Sequence, residues 1–166
     1  MNLSFSTRGW TSLTWEESME TALEMRFSGI ELYDIQKQPA LFERTGPFHR
    51  YAAAATVRTL FEKSLKIPCL DSSWDLSTGT AVEGVQALIA IAHDLRVPNI
   101  AVCARSENED AVQEALRALL PEAEQQDVTI LIKTCGIYAD TARLRTLMDG
   151  FACDQLAALW DIHHPY

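Results

Sequence analysis

Basic residues are scarce in this chain, and their scarcity excludes one large class of function. Fourteen Lys and Arg residues stand against 23 Asp and Glu residues, which gives a formal net charge of −9. A nucleic-acid-binding protein needs a basic surface to neutralise phosphates, so we expect no nucleic-acid partner. An acidic chain of this kind favours a small-molecule ligand instead.

Long hydrophobic runs and paired cysteine motifs are also missing. No segment approaches the 18 apolar residues of a membrane span, and the first residues lack the basic and apolar regions of a signal peptide. The four cysteines have no C-x-x-C spacing, which predicts reduced thiols buried in apolar strands. We therefore expect a cytoplasmic protein with no membrane partner.

Glycine-rich phosphate loops are absent as well. The segment Thr7-Arg8-Gly9-Trp10 follows the first predicted strand, and it contains one glycine where a dinucleotide-binding loop needs three. A nucleotide-binding open sheet is therefore not favoured.

A short apolar strand followed by an amphipathic helix recurs along the chain with a period near 30 residues. The strand interiors are continuous apolar runs, typical of parallel strands covered on both faces. The predicted strands are Leu3–Thr7, Gly29–Tyr33, Pro68–Ser72, Asn99–Ala104, Thr129–Lys133 and Leu156–Asp161. This alternation predicts one α/β domain with a parallel sheet.

Helix boundaries carry local signals. Thr14 and Glu17 are spaced as a capping box, and Asn108 precedes two acidic residues at the start of the fourth helix. Pro121 should kink or interrupt that helix, because proline cannot donate a main-chain hydrogen bond. The long segment Asp34–Arg50 after the second strand is either a binding loop or lid, or a well-packed ordered loop.

Polar side chains follow nearly every predicted strand. They are Ser6, Thr7, Arg8, Glu31, Asp34, Asp71, Ser72, Ser73, Arg105, Lys133, Thr134, Asp161, His163 and His164. Contributions from every strand to one rim are typical of the mouth of a (β/α)₈ barrel, where such enzymes carry their active sites. We therefore favour a barrel over an open, doubly wound sheet.

Four segments carry a resemblance to a known family. They are Leu3-Ser4-Phe5-Ser6-Thr7, Phe27-Ser28-Gly29-Ile30-Glu31-Leu32, Val128–Lys133 and Leu159-Trp160-Asp161-Ile162-His163-His164. The chain resembles the xylose isomerase-like TIM-barrel family of sugar phosphate isomerases and epimerases. The resemblance implies an incomplete (β/α)₈ TIM barrel with about six parallel strands and five helices. Residues 1–166 would be the N-terminal part of that barrel, truncated after strand six.

The resemblance also implies a divalent metal ion, Mn²⁺, Mg²⁺, Co²⁺ or Zn²⁺. Asp161, which ends strand six, corresponds to a metal ligand, and His164 corresponds to a histidine that contacts substrate or metal. The family has a glutamate at the end of strand five, where this chain has Lys133. An ammonium group at that position weakens the metal site.

Further site residues are expected at the same rim. Lys133, His164 and Glu31 are the predicted catalytic residues, and Arg8, Trp10, Asp71 and His163 are the predicted substrate-binding residues. Trp10 could form the floor of a sugar pocket, since apolar sugar faces stack on aromatic rings. Alternatively, Lys133 only forms an ion pair with Asp161 or Glu31.

Three functions remain open at this point. The intact barrel could be an isomerase or epimerase that moves a proton on a small sugar-like carbonyl compound with the help of a metal. Lys133 could replace the metal, by stabilising an enediolate or by forming a Schiff base. The barrel could instead bind a ligand or act as a scaffold without catalysis.

The expected truncation has consequences of its own. Closing an eight-stranded barrel would need roughly 80 to 100 further residues at this period. We expect this chain alone to be inactive, and its unpaired sheet edges predict homo-oligomers or other association.

Overall fold

The computed structural model describes residues 2–161 of the chain. Six parallel strands alternate with five α-helices, which confirms the predicted α/β class and the number of elements. The strands are β1 Ser4–Ser6, β2 Gly29–Tyr33, β3 Leu70–Asp75, β4 Asn99–Cys103, β5 Thr129–Lys133 and β6 Leu156–Leu159. The helices are α1 Trp15–Glu24, α2 Ala53–Glu62, α3 Val82–Asp94, α4 Glu109–Gln125 and α5 Thr141–Phe151.

The strands follow one another in the sheet in the order of the sequence, from β1 to β6. By its contacts the chain divides into two compact units, residues 2–71 with 95–97 and residues 72–94 with 98–161. The expectation of one domain over residues 1–166 remains a prediction. Within the described residues, no helix is both long enough and apolar enough to cross a membrane.

In the first unit, β1 pairs with β2, and β2 pairs with the start of β3. Helix α1 packs on β2. The segment after β2 is ordered by apolar packing, because Ile35 and Phe48 are buried and the Phe48 ring lies 5.1 Å from the Trp15 ring. This agrees with a packed, ordered loop at Asp34–Arg50.

In the second unit, β5 pairs with both β4 and β6, and helices α3, α4 and α5 pack on β4, β5 and β6 in turn. From Ile100 to Cys103, β4 is buried throughout, as expected of a strand covered on both faces. Strand β5 alternates instead: Ile130 and Ile132 are buried, whereas Leu131 and Lys133 are half-buried. Lys133 therefore lies on the more open face of β5.

The sequence-based extents of several elements were wrong, and β6, for example, ends at Leu159 rather than at Asp161. Helix α4 runs through Pro121 without interruption. Pro121 and Arg117 are both exposed, so water can reach the Arg117 carbonyl that proline leaves without a donor. Strand β3 begins after Pro68, which has no N–H for the ladder, and continues to Asp75.

The predicted capping box at the start of α1 is present. Thr14 N donates to Glu17 Oε2 at 2.7 Å, and Glu17 N donates to Thr14 Oγ1 at 3.2 Å. Hydrogen bonds from the Thr14 main chain and side chain hold the pKa of Glu17 below its usual value. The box therefore stabilises α1 most when Glu17 is ionised.

We predict that Thr14→Ala lowers the free energy of unfolding by about 1 kcal/mol at neutral pH. A carboxylate with a lowered pKa contributes stability above its unfolded-state pKa and loses it as the pH falls through the folded-state value. The difference in the free energy of unfolding between Thr14→Ala and the unmodified protein should therefore become smaller at acidic pH. Urea unfolding at several pH values measures it. Thr21→Ala, inside the same helix, is the control, and an equal loss in both variants would contradict the account.

Candidate functional site

In the first unit, the carboxyl end of β2 is hydrogen-bonded to the loop after β1 and to the start of β3. Tyr33 N donates to Thr7 Oγ1 at 2.9 Å, and Asp34 N donates to the Asp71 carbonyl at 2.8 Å. The Arg8 guanidinium lies 4.9 Å from the centre of the Tyr33 ring, a cation–π distance. These contacts fix the loops in which polar residues were predicted.

A cleft of about 330 Å³ opens at this edge of the first unit. Trp10 borders the cleft with 44% of its surface exposed. Its ring is held edge-on against Phe5, with centroids 6.1 Å apart. Polar groups complete the wall, and the lining includes Thr7, Tyr33, Asp34, Lys37 and Gln38. An exposed aromatic ring beside polar groups suits a small polyhydroxylated ligand.

The predicted site residues of the first unit differ in whether they line this cleft and in how exposed they are. Trp10 lines the cleft, and Arg8 is exposed beside it, stacked on Tyr33. Glu31 is half-buried in β2, opposite Ser6 of β1. Asp71 lies within β3 rather than after it and is only 6% exposed. Their catalytic and substrate-binding roles remain predictions.

Sequence reasoning did not single out two residues of this cleft. Tyr33 supplies a ring to the wall, and the Gln38 side-chain amide donates to the Tyr33 carbonyl at 2.7 Å. The position of Tyr33 as the last residue of a predicted strand was a usable signal. Gln38 offered none, because its position depends on the fold of the loop after β2.

In the second unit, Lys133 crosses the sheet face toward β3. Its Nζ donates to the Ser72 carbonyl at 2.9 Å, and the buried Ser72 hydroxyl donates to the Ala101 carbonyl of β4 at 2.7 Å. The ammonium group of β5 is thus fixed against the main chain of a strand two positions away. A cation held in this way can stabilise negative charge that develops nearby.

The sequence predicted that Asp161 ends strand six, but β6 ends at Leu159 and Asp161 lies two residues beyond it. The main chain of Asp161 is nevertheless anchored. Asp161 N donates to Thr134 Oγ1 at 2.8 Å, while Thr134 N donates to the Leu159 carbonyl at 3.0 Å. Thr134 is fully buried, so its hydroxyl ties the end of β6 firmly to β5. His163 and His164 lie outside the described residues.

The side chains of residues 2–161 do not fit the metal site that the resemblance implies. No group of three or more His, Cys, Asp or Glu side chains in that range could hold a metal ion. Lys133 places an ammonium group where the family has a carboxylate ligand. We therefore assign no reaction step to a metal, and Asp161 as a ligand remains a prediction.

Asp75 organises the ends of β3 and β4, a role that the sequence did not reveal. Its Oδ1 accepts from Ser77 N and from Arg105 N, both at 3.1 Å. The strand was expected to end at Ser72, so Asp75 was not considered among the rim residues. An Asp two residues before a Ser is the local signal of such a turn.

Two thiols meet at the ends of β4 and β5. Cys103 Sγ donates to the Trp74 carbonyl at 3.2 Å. A hydrogen bond with Cys135, together with burial, raises the pKa of the Cys103 thiol far above its usual value. All four cysteines are free, as expected, although Cys153 is exposed rather than buried. A thiol kept protonated is a poor nucleophile, so Cys103 is not a candidate for covalent catalysis.

Comparison with known proteins was informative only at the level of structure. No family model matches the chain, and neither does any curated protein. A xylose isomerase domain protein from Planctomyces limnophilus matches with a TM-score of 0.62 and 12% identity, over 94% of this chain and 59% of that one. D-psicose 3-epimerase, solved in the presence of D-fructose, matches with a TM-score of 0.73 and 10% identity, over 97% and 63%. The IolI protein, solved with a bound zinc atom, matches with a TM-score of 0.74 and 11% identity, over 94% and 61%.

The fold is that of the xylose isomerase-like TIM barrels. The predicted resemblance is confirmed for the fold, since identities of this size carry no more than that. The chain spans about three fifths of the length of these structures. Its neighbours in structure include isomerase-like and epimerase TIM barrels.

In this TIM-barrel fold, Gly136 allows the loop after β5 to approach β4. Its φ is 59°, and a Cβ at this position would overlap the Ala104 carbonyl oxygen, which accepts a hydrogen bond from Ile137 N. Any side chain here is therefore opposed both by the backbone conformation and by the main chain of Ala104, just after β4.

We predict that Gly136→Ala lowers the free energy of unfolding by about 2 kcal/mol or more, through strain and overlap. Gly150→Ala is the matched control, because a Cβ on Gly150 in α5 meets nothing within 4 Å. That change should raise the free energy of unfolding by about 0.5 kcal/mol or more. Urea unfolding of both variants tests the pair, and equal effects would contradict the assigned role of Gly136.

Proposed function

We propose that this chain is the substrate-binding part of a barrel that isomerises or epimerises a small sugar or a sugar-like carbonyl compound. The observation that carries the proposal is the cleft beside Trp10 at the carboxyl ends of β1 and β2. TIM-barrel enzymes hold their active sites at this end of the strands. Support also comes from the fold that the chain shares with D-psicose 3-epimerase.

In this proposal, Trp10 binds the apolar face of the sugar, and the polar groups around it bind hydroxyls. The half-exposed indole offers a flat surface, and Thr7 and Asp34 line the same cleft. Arg8 would contact the substrate from its position over Tyr33. Ligand sites commonly combine a few convergent polar groups with an aromatic wall in this way.

Lys133 and Glu31 are the proposed catalytic residues among those described. Proton transfer next to a carbonyl produces an enediolate, whose negative charge a fixed ammonium group can stabilise. Lys133 has the required charge and is held in place by the Ser72 carbonyl. Glu31 would move the proton as a general base, a role that suits a half-buried carboxylate. His164 and His163 keep their proposed roles outside the described residues.

A divalent cation is a separate proposal. Asp161 would be one ligand, and the IolI structure contains a zinc atom in a related fold. The described residues do not supply a complete set of ligands, so the proposed proton transfer does not include a metal.

A second candidate function is ligand binding without catalysis. It is favoured by the hydrogen bond from Lys133 Nζ to a main-chain carbonyl, because this bond gives the ammonium group a structural role in the sheet. The two candidate functions differ in the effect that replacing Lys133 has on turnover.

We predict that Trp10→Ala weakens the binding of D-fructose or D-psicose at least tenfold, because the sugar loses its stacking surface. Saturation-transfer NMR titrations measure this directly. Phe61→Ala is the control, since Phe61 is 83% exposed on α2 and lies outside the cleft. Equal binding by both variants would contradict the proposed sugar site.

We further predict that Lys133→Met lowers the rate of ketose interconversion by about 100-fold or more, whereas Lys133→Arg keeps most of it. Arginine retains the positive charge and a donor for the Ser72 carbonyl. The rate is measured by chromatographic separation of the ketoses, with the complete product of the gene that encodes this chain.

Two outcomes separate the alternatives for Lys133. If borohydride traps a ketose on the unmodified protein and Lys133→Arg loses its activity, Lys133 acts by forming a Schiff base rather than by stabilising charge. A Lys133→Met variant that is less stable to urea but has unchanged turnover would assign Lys133 a purely structural role.

A further inference from the structure

A second cleft, of about 390 Å³, lies between the start of α4 and the start of α5 in the second unit. Its wall is formed mainly by Glu107, Asn108, Glu109, Asp110, Tyr138 and Arg143. None of these residues belongs to the proposed sugar site. Its volume is within the range of sites that bind small molecules.

Two buried oxygen atoms in this wall form no hydrogen bond with residues 2–161. Tyr138 is only 1% exposed, and among residues 2–161 no group forms a hydrogen bond with its hydroxyl. In the same part of the chain, Glu109 Oε1 is buried and forms an ion pair with Arg143, whose Nε lies 3.6 Å away, but it receives no hydrogen bond. Buried polar atoms are nearly always satisfied in folded proteins, so the Tyr138 hydroxyl without a hydrogen bond, beside a carboxylate oxygen that has only a long ion pair, indicates a ligand.

The two groups lie near each other in the same electrostatic environment. Burial raises the pKa of Tyr138 to about 12, and the Glu109 carboxylate contributes in the same direction. The phenol is therefore neutral, and its oxygen can accept a hydrogen bond beside the carboxylate. A ligand that donates hydrogen bonds would satisfy both oxygens.

The charge of the cleft selects the kind of donor. Three carboxylates, those of Glu107, Glu109 and Asp110, line it with one guanidinium. That guanidinium, on Arg143, already forms a hydrogen bond with Glu107 Oε2 at 2.5 Å. Three carboxylates outweigh one guanidinium and the partial positive charges at the starts of α4 and α5, so the cleft keeps a negative charge that favours cations over anions. An ammonium group carries three donors and a positive charge, which matches the two oxygens and the excess of carboxylates.

We propose that the cleft between α4 and α5 binds a small primary amine, whose ammonium group donates to Glu109 Oε1 and to the Tyr138 hydroxyl. The side chain of Leu147 lines the same cleft and would contact the short hydrocarbon chain of the amine. This site is separate from the sugar cleft, and its test does not depend on the proposed catalytic activity.

The test is a calorimetric titration of the whole chain with 1,4-diaminobutane, with neutral 1,4-butanediol as the matched probe. The diamine should bind at one saturable site, at least tenfold more tightly than the diol. Glu109→Gln should weaken its binding at least tenfold, and Tyr138→Phe about threefold. Glu114→Gln is the control, because it removes the same charge from an exposed position on α4 outside the cleft.

A second measurement needs no variant. Amide chemical-shift changes on adding the diamine should be concentrated in residues 107–113 and 138–147. Equal weakening by Glu109→Gln and Glu114→Gln would reduce the effect to overall charge and overturn the proposal. Equal affinity for the diol, shift changes confined to other residues or the absence of saturable binding would also overturn it.

Discussion

Parallel pairing of consecutive strands is the constraint on which the rest of this structure depends. Each crossover helix returns the chain to the same end of the sheet, so the carboxyl ends of neighbouring strands meet at one edge. In the first unit this brings Thr7, Tyr33 and Asp34 to a common cleft. In the second it places Lys133 where its ammonium group reaches the main chain of β3.

Local signals were sufficient for much of the fold. Strands β2 and β5 have the predicted bounds because their apolar runs are flanked by clear breaks, and the capping box at Thr14 forms as its spacing requires. The errors have tertiary causes. Pro121 is tolerated because the turn around it faces solvent, and β3 is displaced toward Asp75 because its ladder starts only after Pro68.

The candidate sites were less accessible to sequence reasoning. Trp10 could be selected because an aromatic residue followed a predicted strand, and it does line a cleft. The hydrogen bond from Lys133 to Ser72 could not be predicted, since its acceptor is a main-chain carbonyl more than 60 residues away. The cleft between α4 and α5 was also missed. A sequence does not reveal that the Tyr138 hydroxyl forms no hydrogen bond with the residues around it.

The central proposal is that a barrel containing this chain catalyses proton transfer next to the carbonyl of a sugar. The most direct test is to incubate D-fructose with the protein as expressed from its own gene in D₂O and to follow the sugar by proton NMR. The account predicts loss of the proton signal at a carbon next to the carbonyl, at a rate proportional to protein concentration. Saturable binding of the ketose with no hydrogen–deuterium exchange above the protein-free rate would contradict it. That result would assign the protein ligand binding without catalysis.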